Sequence, residues 1–350
     1  MAKRLRFGIV GCGTISRFHA RAISETTGAE LVGATSRRME GAESFAAEFG
    51  CRAYRTLEEL LSDPEVDAIS ICTPSGFHLD PALAAAAAGK HVVVEKPLEV
   101  TTSRCDAIID SCRAHRVELG VTFQSRFHRS SELLREAVAG GRLGRIALGD
   151  AYVKWYRSQA YYDSGAWRGT WDLDGGGALM NQAIHSIDLL LWIMGPVEQV
   201  FAMIDTVAHE RIEVEDVAVA TLKFRSGALG VIEGTTAAYP GALKRIEISG
   251  SRGSVILEEE DLIQWKFADE SPEDEQVRER MRGQTKTGGG ASDPKAIGHH
   301  GHRRFFEDFV TAVDEQRPPS IDGHEARKSV QLIEAIYRSA REARPIRLPD

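Results

Sequence analysis

Within the first 122 residues of this 350-residue chain, short β-branched runs alternate with stretches of helical period, and nothing else in the sequence restricts the fold so strongly. Five runs read as strands: Arg6 to Val10, Leu31 to Thr35, Ala68 to Thr73, His91 to Glu95 and Glu118 to Thr122. Helical periods separate them at 16–26, 41–49, 81–88 and 103–115. Apolar strands joined through helices are buried on both faces and pair in parallel, so a doubly wound α/β sheet is predicted.

From residue 146 the texture changes. Longer alternating segments at 146–156, 197–207, 216–224, 228–237, 244–249 and 254–258 predict an antiparallel or mixed sheet with one buried face. A buried helix is expected from Ala178 to Met194, stopped by Gly195 and Pro196. Residues 269–298 are polar and Gly-rich, with GGG at 288–290, and read as a mobile loop. A last amphipathic helix, 325 to about 343, aligns Val330, Ile333, Ile336, Tyr337 and Ala340 on one face. Two domains are therefore expected: residues 1–122, and an α+β domain over 123–350 with a large open, predominantly antiparallel sheet.

Composition excludes several classes. With 43 Lys and Arg against 51 Asp and Glu, the formal charge of −8 leaves no broad basic surface for a nucleic-acid backbone. Five cysteines, Cys12, Cys51, Cys72, Cys105 and Cys112, form no CxxC pair, which suits a reducing cytoplasmic setting. No signal-peptide pattern is seen, and Ala82 to Ala88 falls far short of the roughly 20 apolar residues that span a bilayer. No membrane partner is expected.

The first strand runs into Gly11-Cys12-Gly13-Thr14-Ile15-Ser16, a Gly-x-Gly turn with serine where a third small residue is usual. Between a strand and a helix, such a turn can bring backbone N–H groups of Gly11, Gly13, Thr14 and Ile15 to a pyrophosphate. NAD sites usually place an acid at the end of the second strand, whereas this chain offers Ser36, Arg37 and Arg38. A hydroxyl and two guanidinium groups suit a 2′-phosphate, so NADP is favoured over NAD. The plainer alternative is that the two arginines begin a solvated helix.

Further strand ends carry Thr73, Pro74 and His78, and then Glu95, Lys96 and Pro97. In an open parallel sheet these positions line the ligand crevice. An ammonium beside an oxidised nicotinamide feels like charge and partial burial, so the pKa of Lys96 is expected to fall toward a range useful for proton transfer. On the helix 178–194, Asn181, His185 and Asp188 fall at i, i+4 and i+7 amid apolar neighbours. Buried polar groups cost about 1 to 3 kcal/mol each unless bonded, so these three either satisfy one another or face a substrate cavity.

Taken together, GIVGCGTIS at 8–16, TPSGFH at 73–78, EKP at 95–97, FQSRF at 123–127, GGGALMNQAIHSIDLL at 175–190 and GHHGHRRFFEDF at 298–309 resemble the Gfo/Idh/MocA family of oxidoreductases. The resemblance implies a Rossmann domain for cofactor, a second domain whose open sheet mediates a homodimer or homotetramer, and a cis peptide before Pro97 that orients Lys96. It places the catalytic histidine at His185 and a substrate wall at Gln124 and Arg126. Position 181, often Asp in the family, is Asn here, which bonds a hydroxyl without raising the pKa of His185. His185 can then be neutral near pH 7 and accept a proton, with Asp188 as an orienter of its other nitrogen.

Seven of the twelve Trp and Tyr residues fall within 152–171: Tyr152, Trp155, Tyr156, Tyr161, Tyr162, Trp167 and Trp171. Flat rings stack on sugar C–H faces, while Lys154, Arg157, Arg168, Asp172 and Asp174 offer hydroxyl contacts. The same composition also suits an oligomer interface. His299, His300 and His302 lack a nearby carboxylate set in the sequence, and no metal is expected. The expected activity is hydride transfer between a nicotinamide and a ring hydroxyl or ketone of a sugar, glycoside or cyclic polyol. Lys96 and His185 handle the proton. Glycoside cleavage through transient oxidation, and a non-catalytic nucleotide sensor, are the competing expectations.

Overall fold

The computed structural model describes residues 4–285, 290–291 and 298–349. It divides into two compact units, one formed by residues 1–124 with 299–330, the other by 125–298 with 331–350.

The first unit alternates as the sequence predicts: β1 (Leu5–Val10), α1 (Thr14–Glu25), β2 (Ala29–Thr35), α2 (Met39–Phe49), β3 (Arg52–Tyr54), α3 (Leu57–Ser62), β4 (Ala68–Ile71), α4 (Leu79–Ala87), β5 (His91–Glu95), α5 (Thr102–His115) and β6 (Leu119–Thr122). All six strands pair in parallel in the order β3-β2-β1-β4-β5-β6. The order reverses between β1 and β4, and at such a switch point the C-terminal strand ends diverge into a crevice. Strand β3 escapes a reading by periodicity. It has three residues and buries only Tyr54, whose hydroxyl donates to Asp63 at 2.6 Å.

The expected division at 122 lies close to the first structural boundary, but residues 299–330 return to the first unit. The reason is aromatic packing. Helix His300–Glu315 brings Phe305, Phe306 and Phe309, all fully buried, against Phe7 of β1. Phe306 meets Phe7 edge-on at 5.4 Å, and Phe305 meets Phe306 at the same separation. An isolated bridge also pairs Gly120 of β6 with Asp322.

The second unit contains α6 (Arg129–Ala139), β7 (Ile146–Lys154), α7 (Gln159–Asp163), α8 (Ile184–Met194), β8 (Val197–Asp205), β9 (Val217–Phe224), β10 (Leu229–Thr235), β11 (Arg245–Gly250), β12 (Gly253–Glu258), β13 (Asp261–Phe267), α9 (Pro272–Arg280) and β14 (Ile346–Arg347). Its eight strands follow the order β13-β12-β11-β7-β10-β9-β8-β14, antiparallel throughout except between β7 and β10. Burial alternates along β9 and β10, so one face packs inward.

Two expectations need correction here. Part of the loop predicted over 269–298 is helix α9, opened by a Ser271–Asp274 capping box with Pro272 in its first turn. Residues 286–289 and 292–297, which include Gly288 and Gly289 of the GGG, lie outside the described residues. The helix predicted from 178 to 194 is not uniform either: Ala178–Ala183 forms a π-helical turn, and only from Ile184 is the winding α. Asn181 sits in the wider turn, so the α-helical spacing that joined it to His185 does not hold.

Truncating Phe306 to Ala removes a fully buried ring from the first unit. The variant is expected to lose about 3–5 kcal/mol in urea unfolding, against little change for truncation of exposed Phe77.

Candidate active site

In the first unit, the ends of β1, β4 and β5 stand side by side. Gly11 follows β1 with φ +93°, donates its N–H to Thr35 O at 2.8 Å, and approaches β4 so closely that a Cβ would lie 2.9 Å from Cys72 O. Only glycine fits that combination. Gly13 caps α1 without a side chain, and a Cβ built there meets nothing within 4 Å. Exposed Thr14 and half-buried Ile15 begin the helix, so its first N–H groups are accessible. That cradle fits a dinucleotide pyrophosphate. Ser16, where a third glycine is usual, is buried and donates to Gly13 O at 2.7 Å.

At the other strand ends, Thr73 donates its hydroxyl to Phe77 O at 3.0 Å. The ring of buried His78 lies 3.0 Å from Thr73 O and 2.9 Å from Pro97 O, tying the exit of β4 to that of β5. Lys96 is half-buried, and the bond to Pro97 is cis as expected. Behind it runs a polar network that the sequence did not reveal. His19 of α1 places Nδ1 2.7 Å from Ser70 Oγ and Nε2 2.8 Å from Glu95 Oε1. The Lys96 N–H donates to Glu95 Oε2 at 3.1 Å. Burial opposes charge on His19 but is outweighed by Cys72 and Glu95, so its pKa is raised. Burial pushes Glu95 up, yet His19, with His302 and Lys96, more than offsets this and holds the carboxyl below its usual range. Glu95, bonded to His19 through one oxygen, fixes the backbone at Lys96 through the other. Ligand atoms of His19, Glu95 and His302 fall within 4.8 Å of one another, but both nitrogens of His19 are engaged by Ser70 and Glu95.

In the second unit the site is built on three glycines. Glu215, fully enclosed, accepts the N–H groups of Gly177 and Leu179 at 2.9 Å each and the Tyr337 hydroxyl at 3.0 Å. A Cβ on Gly177 would lie 1.8 Å from Glu215 O, and one on Gly176 2.0 Å from Tyr337 Oη. The triple glycine lets a carboxylate dock on the start of the helix, where the N–H groups are otherwise unsatisfied. The π turn follows immediately and carries Asn181, whose Nδ2 donates to buried Asp174 Oδ1 at 2.6 Å. A carboxylate is thus present beside position 181, supplied by Asp174. Half-buried His185 opens α8.

Other predicted residues fall as follows. Gln124 is half-buried in the turn Gln124–Phe127. Arg126 is buried and bonds Asp188 through two nitrogens, at 2.8 and 2.7 Å. Trp155 is buried, Tyr156 is half-buried against Tyr239, and Trp171 meets Tyr337 edge-on at 5.1 Å. Arg168 stacks on Tyr161 and Trp167. Tyr161 also accepts a bond from Gln182 Nε2 at 3.2 Å, which links this aromatic group to the π turn. Gln182, Glu215 and Tyr337 were not singled out as polar site residues, because their partners are distant in sequence. The repeated glycines were the available signal.

Burial pushes the Glu215 carboxyl from its ordinary 4.5 up to about 7, against the three donors that favour its charge. An acid with a higher pKa folded than unfolded contributes stability below the unfolded value and loses it as pH rises through the folded one. Glu215→Gln does not titrate. Its stability deficit relative to the parent protein should therefore shrink between pH 5 and pH 8, by about 3 kcal/mol at most, in urea unfolding at both pH values. An equal deficit at the two would contradict the shift.

Comparison with known proteins agrees at both ends of the chain. Residues 5–123 match a family described as oxidoreductases with an NAD-binding Rossmann fold, and residues 132–256 match the GFO/IDH/MocA C-terminal domain. The WlbA dehydrogenase from Bordetella pertussis, in complex with NADH and UDP-GlcNAcA, is 37% identical with a TM-score of 0.91, over 100% of this chain and 99% of that one. The 1,5-anhydro-D-fructose reductase of Ensifer adhaerens is 30% identical over 72% of this chain and 75% of its own. Myo-inositol 2-dehydrogenase of Thermotoga maritima is 28% identical over 99% of each. With both halves matched and the Gly-x-Gly turn set on a parallel sheet, this chain belongs to the Gfo/Idh/MocA family of oxidoreductases and carries its NAD-binding Rossmann domain.

Proposed function

We propose that the protein is a dehydrogenase or reductase that interconverts a ring hydroxyl and ketone on a sugar, glycoside or cyclic polyol. The observation that carries this reading is the clamped helix start: Glu215 fixes a π turn whose Asn181–Asp174 pair can bond hydroxyls, one turn before His185. Relatives named for inositol and anhydrofructose, and one in complex with UDP-GlcNAcA, support that substrate class. Half-buried aromatics beside the helix supply flat apolar faces.

A bound nicotinamide supplies the hydride acceptor. As the carbinol C–H bond breaks, His185 accepts the hydroxyl proton, and Lys96 stabilises the developing negative charge on the oxygen. In reduction the same groups return the proton to the carbonyl oxygen. Asn181 positions a neighbouring hydroxyl, and Asp174 fixes the amide of Asn181. Glu95, paired with His19, holds the Lys96 backbone.

For the cofactor, Ser36 Oγ donates to Arg38 O at 2.7 Å and is held in the turn, while Arg37 and Arg38 are exposed. We propose NAD(H) as the working cofactor, with the two arginines also admitting a 2′-phosphate, so that NADPH binds within about tenfold of NADH, or about 1.4 kcal/mol.

No helix among the described residues is long and apolar enough to cross a membrane. The outer face of the eight-stranded sheet presents Leu148 paired with Leu229 and Val219 paired with Met203, with Phe201 beside Met203 on β8, all 38–72% exposed. We propose that this face joins copies into a dimer or tetramer, since monomers rarely expose such apolar continuity. Met203→Glu should shift the sedimentation coefficient toward the monomer with NADH affinity retained. An unshifted sedimenting species would remove this face from the interface.

Lys96→Met and His185→Ala are each expected to lower turnover by about 100-fold or more, followed at 340 nm over a panel of sugars and polyols. NADH and NADPH dissociation constants should stay within a few-fold of the parent protein. Normal turnover in His185→Ala would overturn the proton assignment. Sugar conversion without net absorbance change would mean transient oxidation.

A further inference from the structure

We propose that Arg168 receives an oxyanion carried by the substrate, a carboxylate or phosphate attached to the sugar, and thereby selects acidic over neutral sugars. The proposal rests on the reading of residues 152–182 as a sugar-binding wall. The Arg168 guanidinium lies 4.2 Å from the centre of the Tyr161 ring and 4.5 Å from that of Trp167. Arg157 places a second guanidinium 5.5 Å from the same Tyr161 ring. Among the described residues, no carboxylate oxygen comes within 4.0 Å of the Arg168 nitrogens.

The surrounding acids have other engagements. Asp174 accepts from Asn181 Nδ2 and from the Gly169 N–H. Asp163 pairs with Arg211, and Glu213 accepts the Trp171 N–H. Arg157 donates to the carbonyls of Tyr156, Gly290 and Ala291 and bonds the Tyr161 hydroxyl. Two guanidinium groups therefore share one ring, with Asp174 the acid that acts on its hydroxyl. A guanidinium over two rings and without a carboxylate partner can make two parallel N–H bonds, the geometry that carboxylate and phosphate match. Position completes the argument. Tyr161 is bonded to Gln182, and Gln182 Nε2 donates to Asn181 Oδ1 at 3.2 Å, so one ring separates this cation from the helix that carries His185.

A merely structural arginine propping Tyr161 would affect stability but not the choice between acidic and neutral ligands. The test is calorimetric titration of the full-length protein, preloaded with NADH, with two matched pairs: D-glucose against D-glucuronate, and UDP-glucose against UDP-glucuronate. Comparing D-glucose with UDP-glucose separates a phosphate source from the sugar carboxylate. At least one anionic member is expected to bind about 10- to 100-fold more tightly than its neutral counterpart, the scale of a hydrogen bond to a charged group. Arg168→Gln should abolish that ratio while leaving NADH affinity unchanged, and Arg168→Lys should restore part of it. Should Arg168→Gln fail to fold, raising NaCl from 50 to 500 mM should erode the same ratio in the parent protein. Equal responses to neutral and anionic members, including none from either, would overturn the proposal, as would a ratio untouched by Arg168→Gln. His185→Ala should keep the binding preference, so loss of the catalytic reading and loss of this one are distinguishable.

Discussion

The second unit turns on a single carboxylate. Glu215 is almost wholly buried, so its oxygens must find donors inside the protein, and a helix start is where unsatisfied N–H groups are gathered. Bringing them within 2.9 Å demands a stretch without side chains, which is the physical content of Gly176-Gly177, with Gly175 turning the chain at φ +76° before them. The π winding after that docking turns Asn181 toward Asp174 rather than along the stripe that continues to His185 and Asp188. Wider turns of this kind are rare and recur at functional sites, where they re-aim one side chain without moving the rest of a helix.

Much of this was legible beforehand, and for identifiable reasons. Strand β5 ends where the apolar run ends, at Glu95, and the parallel pairing of the first sheet follows from βαβ alternation. What stayed hidden depended on partners far along the chain. Helix α9 is mostly charged and has no apolar stripe; it is held by Arg142, which binds Asp274 through two nitrogens, and by the indole of Trp265. Strand β14 is two residues long and exists because β8 offers an edge. At the site, polarity in an apolar helix marked His185 and Asn181, but local spacing could not reveal that Asp188 would be taken up by Arg126 from 62 positions away.

The buried charges of the two units do similar work by different means. Arg126 and Asp188 form a two-bond ion pair that pins α8, with the guanidinium also lying over Trp192 at 5.6 Å. Such pairs add little net stability compared with apolar packing, but they penalise every register that separates them. His19 and Glu95 do the same for the end of β5, and there the oxygen not facing His19 holds the backbone of Lys96. Orientation at both strand end and helix start is therefore set by enclosed polar bonds, while the apolar core supplies the bulk of the stability.

The return of residues 299–330 to the first unit has a consequence for how the protein is made. Phe7 leaves the ribosome about 300 residues before the rings it packs against, Phe306 and Phe309. Tyr337, which closes over Glu215, comes later still. At about 5–20 residues per second, the amino-terminal sheet waits on the order of ten seconds or more with one flank uncovered. Neither half can finish its interior during translation of the other, so a nascent chain halted near residue 298 would present sticky apolar surface on both, a natural target for chaperones.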